Sequence, residues 1–177
     1  MLAPTKRVRN KPLHLNIVTT RFDAVTWERN EKYRKYYGVR GCLYSDQLRM
    51  PSKVSLDAVV CVVEMNNSLN RIEGAGLVRN RPVLDTKVRM YTERNYNRFV
   101  YRGKHRISRE TMERLNPDLV KTLDAVLFKG KTHMKRGAGY TRMTEKVMAN
   151  ERCAHINISD ELADIFKKNR AQRNCMI

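Results

Sequence analysis

Hydrophobic and polar positions along the chain alternate in several short segments, as expected for strands. The stretch LHLNIVTT (13–20) alternates well enough to predict a first strand. AVVCVVEM (58–65) is apolar on both faces and therefore predicts a central strand of a sheet. IEGAGLVRN (72–80) predicts the strand that returns beside it. Gly74 and Gly76 within this strand favour a bulge, or the close approach of another backbone or a flat ligand.

Helical spacing predicts three helices. DAVTWERNEKYRKYYG (23–38) suits a helix capped by Asp23 or Thr26 and ended by Gly38. On the inner face of this helix the spacing places three aromatic residues, Trp27, Tyr33 and Tyr37. NPDLVKTLDAVLFKG (116–130) predicts a second helix, in which Asn116 is the cap and a continuous apolar stripe faces the core.

The third predicted helix is SDELADIFKKNRAQR (159–173), with Ser159 as its cap. Its apolar stripe is narrow, so we expect this helix to pack on the outside of the domain or on a partner. Two further segments, KVRMY (87–91) and GYTRMTEKVM (139–148), suit additional strands. The chain is thus expected to be one α+β protein, with a mobile basic arm at 1–12, a domain at 13–150, and a helix and tail at 151–177.

Composition changes this picture mainly through charge. The 177 residues include 36 Lys and Arg but only 18 Asp and Glu, which gives a net charge of +18. A charge of this size indicates a polyanionic partner, DNA or RNA, because it creates a positive field over most of the surface. The longest apolar run (58–63) is too short to cross a bilayer, and the N-terminus lacks the apolar segment of a signal peptide. We therefore expect no membrane partner.

Four cysteines (Cys42, Cys61, Cys153 and Cys175) are scattered without a CxxC pair, which favours free thiols in a reducing compartment. We expect an intracellular protein, in the cytoplasm or the nucleus.

The stretch NYNRFVYRGKHRISR (95–109) carries the strongest functional signal. If it is one strand, its side chains alternate between a cationic face and a face that is largely aromatic or apolar. The cations on the first face are Arg98, Arg102, Lys104 and Arg106, with no acidic residue among them. Two interpretations remain open: a surface that binds a polyanion, or a solvated edge strand protected from aggregation by its charges.

A second segment, FKGKTHMKRGAGYTR (128–142), has a similar composition. It combines three glycines with five cations and no acidic residue, and glycine-rich basic loops let backbone N–H groups and side chains approach phosphates together. Its cations are Lys129, Lys131, Lys135, Arg136 and Arg142. The two segments together predict a groove that follows a sugar-phosphate backbone, although each alone also suits a solvated surface.

Catalytic signals are weak. The four histidines lack metal-ligand spacing, there is no phosphate-binding glycine loop, and the only carboxylate pair of note is Glu64 with Glu73. We therefore expect neither an enzyme, nor a metal site, nor a cofactor.

Four segments, in order, resemble the PUA-like superfamily, particularly its EVE and YTH branches. They are YYGVRG (36–41), LDAVVCVVEM (56–65), IEGAGLVRN (72–80) and RGAGYTRMTEKV (136–147). The resemblance implies a small β-barrel of mostly antiparallel strands with flanking helices, which binds nucleic acid and holds a flipped modified base in an aromatic pocket. Carried over by position, the pocket candidates are Trp27, Arg40 and Tyr44. Leu56-Asp57 stands where the superfamily has Gly-Asp.

The phrases VVEMNNSLNRIEGAGLVRN (62–80) and YNRFVYRGKHRISR (96–109) also resemble those of small proteins of large DNA viruses. That resemblance implies an alternative: a structural basic protein of a virion or ribonucleoprotein particle that packs against the genome, with its terminal helix on a protein partner.

Overall fold

Seven strands form two sheets in the computed structural model, which describes residues 15–83 and 87–174. The larger sheet contains β1 (Asn16–Phe22), β3 (Val59–Asn66), β4 (Arg71–Arg79), β6 (His105–Ser108) and β7 (Thr141–Arg142), in the order β6-β4-β3-β1-β7. Only the β1–β3 pair is parallel. The smaller sheet pairs β2 (Cys42–Asp46) with β5 (Phe99–Gly103) in antiparallel register. The protein is therefore α+β with a mostly antiparallel main sheet, and the strand ladders of the described residues do not close into a barrel.

The helices are α1 (Ala24–Tyr36), α2 (Arg109–Leu115), α3 (Pro117–Phe128), the short α4 (Glu145–Met148) and α5 (Ile158–Asn174). Asp23 caps α1 by accepting a hydrogen bond from the Thr26 N–H, and Asn116 caps α3 by accepting one from the Leu119 N–H. Both caps agree with the sequence pattern. The cap of α5 does not: the Asn157 side chain accepts from the N–H groups of Ser159 and Asp160, while Ser159 itself lies buried within the helix.

The main sheet separates two apolar cores. On one face it packs against α2, α3 and α5, and the apolar stripe of α5 (Leu162, Ile165 and Phe166) is buried in this core. Helix α5 thus packs on the domain through this stripe, as expected, while its opposite face is exposed. On the opposite face the main sheet packs against β2, β5 and Tyr140. As the sequence predicted, β3 is central, because β1 and β4 cover both of its edges.

The two glycines of β4 are explained by close packing. A Cβ on Gly76 would lie 2.3 Å from the Tyr44 hydroxyl oxygen, so glycine lets β2 cross β4 closely. Near Gly74 (φ 155°) the β3–β4 register shifts at Glu64/Met65, which is a β-bulge. The predicted bulge and close approach are both present, and the approaching group is the protein's own second sheet.

Of two further predicted strands, one is absent from the described residues and the other is reduced to two residues. Segment 87–91 is irregular, because the N–H groups of Met90 and Tyr91 donate to the Asn97 side chain instead of a strand partner. Segment 139–148 contributes only Thr141–Arg142 to the sheet and then turns into α4.

The predicted basic arm at 1–12 and Cys175 lie outside the described residues. The other three cysteines are free and buried. Between residues 15 and 174, leaving out 84–86, no helix is long and apolar enough to cross a membrane.

Candidate nucleic-acid interface

The stretch predicted as one basic strand is two strands in different sheets. β5 pairs with β2 and β6 pairs with β4, and the chain changes sheet at Gly103-Lys104. A Cβ on Gly103 would lie only 1.8 Å from the Leu77 carbonyl oxygen, so this crossing requires glycine. The predicted alternation of one cationic and one aromatic face is therefore interrupted in the middle, and the four predicted cations do not share a face.

Arg98, Arg102 and Lys104 are exposed, whereas Arg106 is not: its side chain is only 13% exposed. The guanidinium group of Arg98 lies 5.2 Å from the centre of the Phe99 ring. Arg49 lies against the same ring at 4.9 Å, so two cations flank one aromatic side chain.

Arg106 belongs to a buried cluster of charged and aromatic side chains, which we call the Glu64 cluster (Trp27, Tyr44, Glu64 and Arg106). Arg106 Nε donates to Glu64 Oε1 at 2.9 Å, and Arg106 Nη2 donates to Glu64 Oε2 at 2.6 Å. The Tyr44 hydroxyl donates to Glu64 Oε1 at 2.7 Å. Burial by itself lowers the pKa of Arg106, but the Glu64 carboxylate outweighs it and the net shift is upward. Arg106 therefore neutralises an internal carboxylate, which corrects its expected place on an outward cationic face.

The predicted base pocket is not assembled among the described residues. Tyr44 lies in the core, and burial raises the pKa of its hydroxyl well above the usual value. The Trp27 ring meets Phe22 edge-on, and the guanidinium groups of Arg34 and Arg106 lie 5.8 and 5.5 Å from its centre. Arg40, in contrast, is exposed. Trp27 and Tyr44 thus belong to the Glu64 cluster, whereas Arg40 lies apart from them on the surface.

Hydrogen bonds from the Arg21 side chain to backbone carbonyl groups hold the glycine-rich loop 129–140 in place. Arg21 donates to the carbonyl oxygens of Met134 at 2.8 Å and Gly139 at 2.9 Å, and its guanidinium also contacts the Thr141 hydroxyl. Lys135 Nζ donates to Asn70 Oδ1 at 2.5 Å. Among the predicted cations of this segment, Lys129, Lys131 and Arg136 are exposed, whereas Lys135 and Arg142 are half-buried.

A different set of cations converges on one depression, which we call the basic groove. Its volume is about 820 Å³, and none of the described residues that line it is acidic. The cations are Arg40, Lys87, Arg102, Lys104 and Arg173, and the remaining lining residues are Tyr33, Tyr37, Gly38, Val39, Gly41, Val88 and Gly103. The groove therefore contains three of the predicted residues, Arg40, Arg102 and Lys104, but none of the cations of 128–142.

Several segments distant in sequence build this groove. Arg40 follows α1, Arg102 lies near the end of β5, Lys104 lies at the change of sheet, and Arg173 comes from the last turn of α5. Sequence reasoning missed Lys87 and Arg173, because nothing in the sequence distinguishes them from neighbouring cations such as Arg89 and Arg170. The one available signal was the lack of acidic residues at 95–109, which marks one wall only.

The Glu64 and Glu73 carboxylates have separate partners. Glu64 is bound by Arg106 and Tyr44, whereas Glu73 accepts from Arg71 Nε at 3.1 Å and from Asn66 Nδ2 at 2.8 Å. Within the described ranges, no three His, Cys, Asp or Glu side chains come together as a metal site.

Comparison with known proteins supplies no relative: no family model matches, and neither a curated protein nor a solved structure is similar to the chain.

Proposed function

We propose that this chain is a nucleic-acid-binding protein that holds a sugar-phosphate backbone in the basic groove. The observation that carries the proposal is a convergence of exposed cations, with no carboxylate among the described lining residues; these cations are Arg40, Arg102, Lys104 and Arg173. Cations at this density repel one another unless counter-charges neutralise them. A phosphate backbone supplies such counter-charges at regular spacing, and displacement of its condensed ions adds to binding.

The chemistry of the side chains suits phosphate. Arg40, Arg102 and Arg173 carry planar guanidinium groups, which bind phosphate through two parallel hydrogen bonds. Lys87 and Lys104 add point charges. Gly38 has open space where a Cβ would stand, so a ligand backbone can approach the groove closely at this position. The excess of +18 over the whole chain would speed association with any polyanion.

The PUA-like barrel also belongs to this proposal. Its support lies in contacts that β5 of the smaller sheet makes with residues in and beside the main sheet. Gly103 of β5 lies against the Leu77 carbonyl of β4, and the Tyr101 and Tyr140 rings meet edge-on with centres 5.3 Å apart. β2 and β5 would then fill the opening between the edges of a strongly curled main sheet. We do not place recognition of a modified base at Tyr44, since its hydroxyl is already bound to Glu64.

The test is a salt titration of binding to nucleic acid, with two variants that remove equal charge. The groove variant changes Arg40, Arg102 and Lys104 to Ser, and the loop variant changes Lys129, Lys131 and Arg136 to Ser. For duplex DNA the slope of log K against log salt falls by about 0.9 for each phosphate that the protein no longer neutralises. We expect the groove variant to lose about two to three units of slope, and the loop variant to lose less than about one.

Absence of binding by the wild-type protein at low salt would overturn the proposal. Equal losses of slope in the two variants would assign binding to the general positive field instead of the groove. That result would favour the alternative of a structural protein packed against a genome in a virion or ribonucleoprotein particle. The alternative draws its support from Lys129, Lys131 and Arg136, which are exposed outside the groove.

A further inference from the structure

Three tyrosines in the last turns of α1 and at its C-cap form an exposed aromatic surface beside the basic groove. Tyr36 is 83% exposed and Tyr37 is 61% exposed, while Tyr33 is half-buried. The centres of the Tyr33 and Tyr37 rings are 4.4 Å apart, and those of Tyr36 and Tyr37 are 4.9 Å apart with nearly perpendicular planes. We call these three residues the tyrosine shelf.

The exposure of the shelf follows from the way α1 is attached. The helix has no apolar stripe, and its only buried residue is Asn30, which donates to the Leu43 carbonyl at 2.8 Å. The sequence pattern placed Tyr37 on the inner face, but a polar anchor holds α1 in place and Tyr37 points outward. Neither Tyr36 nor Tyr37 belongs to the apolar clusters of the core. Their exposed rings therefore need an explanation other than folding.

The shelf joins two depressions without acidic residues. Tyr33 and Tyr37 form part of the wall of the basic groove. On the other side, all three tyrosines border a shallow depression of about 620 Å³, together with Met90 and three cations of α1: Arg29, Lys32 and Lys35. Lys32 is paired with Glu28 at 2.6 Å, and Glu28 is not among the described residues that line this depression.

We infer that the tyrosine shelf stacks the unpaired bases of a single strand of nucleic acid whose phosphates lie in the basic groove; this inference rests on the proposed function. Bases that stack on aromatic side chains next to a cationic track are the general means of binding single strands. A duplex keeps its bases stacked on each other, so it offers no base face to a ring that stands on a convex helix. Charge complementarity on both sides of the shelf favours a nucleic acid over an apolar protein partner.

The experiment compares two double variants, Tyr36→Ser/Tyr37→Ser and Tyr36→Phe/Tyr37→Phe. The probes are a labelled oligothymidylate of about 20 nucleotides, long enough for one or two binding sites of the usual size, and a blunt duplex of equal length, both measured by fluorescence anisotropy. We expect the serine variant to bind the single strand at least about tenfold more weakly, as loss of one stacked base implies. The phenylalanine variant keeps its ring faces and should bind within about twofold of the wild-type protein.

Two further measurements make the test specific. The slope of log K against log salt should stay the same in the serine variant, because the shelf contributes no phosphate contact. A 2-aminopurine base in the strand should be quenched on binding by the wild-type and phenylalanine proteins but not by the serine variant. Urea unfolding of the serine variant shows whether it retains the wild-type fold, which is expected because both side chains are exposed.

The outcomes that contradict the inference are distinguishable. If the serine variant binds the single strand like the wild-type protein while the groove variant is weakened, the shelf inference fails and the proposed function stands. Equal weakening for single strand and duplex also overturns stacking. If the wild-type protein binds neither probe, the proposed function fails together with the inference.

Discussion

The Glu64 cluster and the basic groove use cations from the same short segment of chain, but in opposite ways. Arg106 is buried against a carboxylate and a tyrosine hydroxyl, with a tryptophan ring beside it. Arg102 and Lys104, only four and two residues away, are exposed in a groove that has no carboxylate among its described lining residues. Glu64 thus neutralises Arg106 inside the protein, whereas Arg102 and Lys104 face solvent.

The difference shows that the role of a cation depends on whether tertiary contacts supply an acid. The change of sheet at Gly103-Lys104 turns Arg106 towards Glu64 and leaves Lys104 in solvent. A buried charge without its partner is costly, whereas an exposed cation can be removed with little effect on stability. The following predictions test this contrast, from the largest expected effect to the smallest.

Arg106→Met should give the largest loss of stability. The change leaves the Glu64 carboxylate in the core with one hydroxyl as its remaining side-chain partner, and breaking a buried ion pair in this way costs about 3–5 kcal/mol. Urea unfolding followed by circular dichroism measures the free energy. Arg102→Met is the matched control and should change that free energy by less than about 0.5 kcal/mol. Similar losses in the two variants would contradict the contrast.

Removing both charges of the cluster should be less harmful than removing one. The variants are made in a Tyr44→Phe background, because the Tyr44 hydroxyl would otherwise lose Glu64 as its acceptor. In that background we expect the double variant Glu64→Leu/Arg106→Met to be about 1–4 kcal/mol more stable than the single variant Arg106→Met. The reason is that no unpaired charge remains buried. A double-mutant cycle of unfolding free energies measures the coupling between the two residues. Strictly additive losses would mean that the two side chains stabilise the fold independently.

An exposed carboxylate should contribute less, and its contribution should depend on pH. The backbone N–H of Thr26 holds the pKa of Asp23 below its usual range. Because this pKa is lower in the folded protein, the stability that Asp23 contributes is present above the unfolded pKa, about 4, and is lost as pH falls below it.

Asp23→Ala should therefore lower the unfolding free energy by about 1 kcal/mol at neutral pH, through loss of the helix cap, and by less at a pH of about 3, below the unfolded pKa. Asp23→Asn is the control, since Asn caps helices about equally well without titrating. A difference between Asp23→Ala and the wild-type protein that stays constant over this pH range would rule out this role of the charge.

The smallest effect on stability should accompany a measurable effect on binding. Arg102→Ser is expected to leave the unfolding free energy unchanged within about 0.5 kcal/mol and to reduce the salt slope for duplex DNA by about 0.9. Isothermal titration at several salt concentrations measures that slope. A marked loss of unfolding free energy would mean that Arg102 stabilises the fold, as Arg106 does.

Local elements followed the sequence pattern closely. The central position of β3, the caps at Asp23 and Asn116, and the bulge in the glycine strand all depend on contacts between near neighbours in the chain or on a strongly apolar run. The segments 87–91 and 139–148 differed from their predictions because local hydrogen bonds replaced strand pairing, those to the Asn97 side chain in the first and those of α4 in the second. The prediction for 95–109 was wrong in a different way: strand conformation is present, but the chain divides between two sheets.

The candidate site was predictable only in part. The charge excess and the lack of acids at 95–109 indicated a polyanion partner and directed attention to Arg102 and Lys104. Strand alternation also predicted Arg106 beside them, which was wrong. Nothing in the local sequence shows that the chain changes sheet at Gly103, where it packs against Leu77. Of the aromatic residues predicted on the inner face of α1, Trp27 and Tyr33 pack against the core, whereas Tyr37 is exposed.

The sequence alone thus determined the charge, the central strand and the caps of α1 and α3, because composition and nearest-neighbour geometry control these features. Only the tertiary structure decided which cations meet an acid and which converge without one. Arg106 meets Glu64 across 42 positions in the chain, and Arg40 shares a groove with Arg173 from the far end of α5. Electrostatic interactions act through space and depend on burial, so the order of residues along the chain does not contain them directly.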